Sequence, residues 1–183
     1  MKNLLFFASI ISLLISCALK KEAFTKQVIA DFSLDTEEKM RDVQFFISQT
    51  IILDQELLSD SLNITENGAL IASSSSKKET IIIHTGTKCI FESFGTKGEI
   101  LVRFETGDKK TLIFSSKTEG NRDTRYNFEA DWSAAGGPKV NYGGNVYKVN
   151  LNRSFARSAY LIVVKKNLQK NKRKQRVIKG LKV

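Results

Sequence analysis

The chain has 183 residues, about one domain's length, and its 12 Phe, 4 Tyr and single Trp exclude a disordered polypeptide. Two cysteines and one histidine are too few for a disulfide framework or a usual zinc site. The formal net charge of +10 is not spread evenly: residues 165–183 hold nine of the 29 basic residues and no acid, and Lys2 apart, the others balance the 19 acids.

At the start, residues 4–15 form an apolar run of twelve residues, interrupted by two serines and preceded by Lys2. A membrane-spanning helix needs about 20 apolar residues. The run is too short for that, and a basic start, an apolar middle and small residues at the end match the three regions of a secretory signal peptide. It ends on Leu14-Ile15-Ser16-Cys17, a sequence that resembles the lipobox of bacterial lipoproteins. The resemblance implies diacylglycerol on the Cys17 thiol, removal of residues 1–16 as signal peptide, and a mature protein held in a membrane of the bacterial envelope. Several acyl chains, as that class carries, anchor stably where one binds only marginally. The absence of Asp at position 18 favours the outer membrane, facing the periplasm. The resemblance covers residues 1–17 alone.

Residues 17–26 have few large apolar side chains and are expected to be a lipidated tether that lets the body stand off the membrane. Residues 27–164 are expected to form a single β-rich domain. In "SLDTEEKMRD", Asp35 and Glu38 have capping-box spacing, with acids in the first turn and Lys39 and Arg41 after them, which predicts one short helix. "VQFFIS" and "IILDQEL" predict strands, and "NITENGALIAS" a turn and a third. The sequon at Asn63 is a chance match in a bacterial lipoprotein. Between residues 79 and 115, "ETIIIH", "KCIFES", "EILVRFE" and "KTLIFSS" predict a four-stranded meander. Ile100, Val102 and Phe104 share one face there, with Arg103 and Glu105 on the other. A turn at 106–109 and a Gly143-Gly144 hairpin follow, the latter leading into alternating Tyr147, Val149 and Leu151. "AYLIVV" is a last apolar strand. The expected fold is mainly β, an antiparallel sandwich or small barrel with one short N-terminal helix.

Catalytic motifs are lacking: there is no G-x-S-x-G, H-E-x-x-H, P-loop or Rossmann glycine set. Cys89 and His84 read as strand residues, the thiol as a small buried hydrophobe, and no cofactor or metal is implied. One constellation stands out in residues 119–132, where Arg122, Arg125, Tyr126 and Trp132 are candidate ligand or partner contacts among Glu129 and Asp131. A non-enzymatic binding or structural module is the expected function. An envelope hydrolase using the acids near Trp132 is the alternative. In the basic tail, residues 165–183, the candidate contacts are Lys170, Lys172, Arg173, Lys174 and Arg176. Mutual repulsion is expected to keep this tail off the body, and its partner is an anionic surface or an acidic envelope polymer. Export argues against nucleic acid, and no protein partner is specified.

Overall fold

Eleven strands lie among the residues that the structure, a computed structural model, describes: 20–64, 70–116 and 124–172, with the side chains of 56–64, 70–78 and 170–172 left aside. The signal sequence, Cys17, Arg122, Arg173, Lys174 and Arg176 lie outside these residues, as do the side chains of Lys170 and Lys172. The strands are β1 (Lys21–Ala23), β2 (Gln44–Ile47), β3 (Ile51–Ile64), β4 (Leu70–Ile83), β5 (Lys88–Phe94), β6 (Ile100–Arg103), β7 (Thr111–Ser115), β8 (Asn127–Phe128), β9 (Lys139–Tyr142), β10 (Asn145–Val149) and β11 (Leu161–Val164). They form two sheets, β1-β11-β2-β5-β6-β7-β8 and β4-β3-β10-β9. Every neighbouring pair is antiparallel. The protein is mainly β, as expected, and neither sheet closes into a barrel.

The expected meander holds for β5, β6 and β7. The "ETIIIH" segment does not join it: it is the end of β4, one strand that pairs with β3 from Ile51↔Ile83 to Ile64↔Leu70 in the other sheet. On β6, Ile100 and Val102 are fully buried. The β9–β10 hairpin turns on Gly143 and Gly144 at φ 61° and 84°, the left-handed pair that a type I′ turn requires.

Among the described residues three α-helices stand where a single one was expected: α1 (Lys26–Phe32), α2 (Glu37–Arg41) and α3 (Lys165–Lys172). Thr25 caps α1, its Oγ1 accepting the Val28 N–H at 3.2 Å. The cap of α2 is Thr36 rather than Asp35, since Thr36 has the extended backbone of an N-cap and its Oγ1 accepts the Lys39 N–H. Asp35 instead accepts from Lys39 Nζ at 2.7 Å.

Two boundaries move. The stretch expected as tether is part of the fold from Lys21 onward, because β1 pairs with β11 in the register Lys21↔Val164 to Ala23↔Ile162. The tail does not leave the body at residue 165 either. Its first residues are α3, which packs against α1 and sinks Leu168, 4% exposed, into the core. Burial of one leucine holds the helix while Lys165 and Lys166 stay exposed.

The core centres on Phe24, which packs edge-on against Phe45 at 4.9 Å and beside Tyr126 at 5.5 Å. Its backbone is held on both sides: Phe24 N–H donates to Leu161 O at 2.8 Å, and Tyr126 N–H donates to Phe24 O at 3.2 Å. Leu161 N–H in turn donates to Tyr126 O at 3.0 Å. The seven-stranded sheet therefore curls until the approach to β8 reaches the β1–β11 edge, through the bridges Thr25↔Arg125 and Asn127↔Tyr160. Phe24→Ala, at 0% exposure, is expected to lower the unfolding free energy by about 3–5 kcal/mol in urea titration. Ile90→Ala, at 51% exposure, should cost less than about 1 kcal/mol. Equal losses would contradict this account of the core.

Candidate functional site

The acidic and aromatic stretch ahead of Trp132 is split between core and surface by strand alternation. Tyr126 and Phe128 share the inner face, and both are buried. Tyr126 is thus a core ring and not a contact residue, a correction that follows from its own place in the alternation. Arg125 remains exposed with its guanidinium 4.7 Å from the centre of the Tyr160 ring. Trp132 is half-buried and stands edge-on to Phe128 at 6.1 Å, with the Arg157 guanidinium 5.0 Å from its ring centre. With Asn127, Glu129 and Arg157 it lines a groove of about 370 Å³.

Glu129 and Asp131 both line a shallow groove of about 220 Å³ with Ile113, Lys139 and Val140. One oxygen of each is engaged locally. Glu129 accepts from Ser115 Oγ. Asp131 Oδ1 accepts both the Ser133 N–H at 3.1 Å and Ser133 Oγ at 2.8 Å, closing a side-chain turn.

A larger groove of about 490 Å³ lies where β3 and β10 meet the loop Gly136-Gly137-Pro138. The period of two on β10 turns Lys148 away from buried Tyr147 and Val149. Lys148 stands opposite Asp54 in register. Asp54 accepts from Thr80 Oγ1 and from Asn150 Nδ2, both at 2.7 Å, and Asn150 Oδ1 accepts the Arg153 N–H at 3.0 Å. These bonds fix the loop after β10 as the groove's second wall. Gly137, at φ 109°, allows the loop to approach, since a Cβ there would come within 2.8 Å of Lys148 Cε. Gln55 also lines the groove, and its Oε1 is buried without a hydrogen-bond partner. None of these groove residues was singled out as a contact in the sequence. The alternation of β10 exposes Lys148, but its partner Asp54 comes from a strand far earlier in the chain.

Cys89 lies on β5, 2% exposed, and burial pushes its thiol well above the ordinary range. Thiol reagents should label it slowly in the native protein and rapidly in denaturant; fast native labelling would contradict a structural thiol. His84 is exposed just after β4, and its carbonyl accepts the Thr87 N–H at 3.0 Å in the turn to β5.

Tyr142 is buried and donates to Glu105 Oε1 at 3.0 Å. Burial first, and then the hydrogen bond to the Glu105 carboxylate, raise its phenol above the usual value. The folded protein therefore keeps a proton that the unfolded chain releases above about pH 10, so stability falls as pH rises through that region. Urea midpoints between about pH 9 and 11 should drop for the wild type and drop less for Tyr142→Phe; an equal drop would refute the contribution.

Among the described residues no three His, Cys, Asp or Glu side chains group as a metal site, and no helix is long and apolar enough to cross a membrane. Compared with known proteins, the chain matches no family pattern, no curated sequence and no solved structure.

Proposed function

We propose that this chain is a lipid-anchored protein of the bacterial envelope, acylated at Cys17 on the periplasmic face of the outer membrane, and that it acts as a non-enzymatic binding module. The observation that carries the binding role is the groove between β3, β10 and residues 136–138. It presents an ammonium, carboxamides and backbone groups along one open surface. The lining suits a polar ligand rich in hydroxyls and amides, the chemistry of envelope glycans and their peptide stems. A hydrolase using Glu129 and Asp131 is disfavoured because one oxygen of each acid already serves a local turn or strand contact.

The anchor is supported by the lipobox and by where the fold begins, with β1 starting four residues after Cys17. Metabolic labelling with a fatty-acid probe is expected to mark the wild type and to leave Cys17→Ser unlabelled and unprocessed; equal labelling would refute the anchor. Soluble peptidoglycan fragments are expected to shift the backbone amide resonances of Gly136, Gly137 and Asn152, with weaker shifts in Lys148→Ala. Shifts confined to other regions would remove the groove from the binding role.

A further inference from the structure

Both ends of the folded body leave from one place. β1 and β11 are antiparallel neighbours, and the first residue of β1 is registered with the last residue of β11, Lys21↔Val164. Cys17 therefore precedes, and α3 follows, the same corner of the same sheet edge. Three residues separate Cys17 from Lys21, and the four chain steps between them span at most about 14 Å when fully extended. Such a spacer cannot lift the domain clear of the headgroups that surround an acylated Cys17.

This corner is basic. Lys20, Lys21, Lys165 and Lys166 are all exposed. The nearest acid on β1, Glu22, has one carboxylate oxygen buried and the other 3.7 Å from Lys165 Nζ. The Lys21 ammonium sits 4.9 Å from the centre of the Phe46 ring, which holds it over the sheet edge. Burial of Leu168 fixes α3 to the body, so Lys165 and Lys166 keep their place beside β1. Beyond them the sequence adds seven more Lys and Arg without an acid.

We infer that the β1–β11 corner and the start of α3 are a membrane-docking face, which lies flat on anionic phospholipid headgroups and holds the sandwich against the bilayer. The inference rests on acylation of Cys17. Anionic lipid is favoured over a soluble acidic polymer by proximity. The acyl chain brings these cations to within roughly one or two screening lengths of the headgroups, about 8 Å each at physiological salt, wherever the polymer is.

The test uses the full acylated protein in vesicles of phosphatidylglycerol with phosphatidylcholine, and of phosphatidylcholine alone. A lysine-reactive reagent is read by mass spectrometry. Labelling of Lys165 and Lys166 is expected to fall about five-fold in the anionic vesicles and to recover in high salt. Lys109, in the β6–β7 turn at the far end of the strands by register, should label equally in both. Equal labelling of Lys165 and Lys166 in the two vesicles, in protein that carries the acyl chain, overturns the docked face and leaves the anchor standing. Protection by added polyglutamate but not by anionic vesicles also overturns it. Absence of fatty acid on Cys17 instead refutes the anchor, and with it the premise.

Discussion

The rest of the structure depends on the three-way backbone junction at Phe24. Its N–H goes to Leu161, its carbonyl takes the Tyr126 N–H, and its ring fills the space between Phe45 and Tyr126. A seven-stranded sheet otherwise ends in two edges whose free N–H and C=O groups invite pairing with another chain. Here the approach to β8 returns to the β1–β11 edge, so one side of that edge is occupied by the protein's own backbone. The same junction fixes the first strand to the last. It therefore decides that the chain belongs to the domain from Lys21 onward, and that α3 starts beside β1.

Much of this fold was legible because the signal that makes a strand is local. Ile100 and Val102 alternate with outward residues, and Gly143-Gly144 is one of the few pairs able to take two left-handed backbones in succession. Strand length and partners were less legible. The middle of the β3–β4 ribbon, "LSDS" against "SSSS", lacks a clear apolar face in sequence, and each strand supplies the other's pairing along its whole length. The α1 helix was missed because seven residues give too few turns for a period to show, although Val28 and Phe32 lie one turn apart. Thr36 took the cap expected of Asp35 through a backbone conformation that composition does not reveal.

The site divides in the same way. Alternation places Tyr126 inside, so its core position was implied by the very pattern that drew attention to the stretch. The larger groove depends on Asp54 and Asn150, 96 residues apart, and no local pattern links them. Gly137 carries a readable signal, because two glycines before a proline mark a tight loop. What the loop approaches, the Lys148 stem, is a tertiary fact.

Charge is partitioned to the same end as chain connectivity. The body is nearly neutral, so excess cations at the C-terminus need not oppose folding, provided that one apolar residue ties their first turn to the core, as Leu168 does. The groove and the proposed anchor draw on separate parts of the molecule: the groove on the four-stranded sheet and its loops, the anchor on the β1–β11 edge of the seven-stranded one. Leu53 immediately precedes Asp54 of the groove and lies in the same core cluster as Phe24 and Phe45, which joins the two sheets through packed side chains. Packed cores transmit position with little compliance. A ligand in the groove would therefore be held at a fixed attitude to the corner next to Cys17, and no side chain would have to serve both tasks.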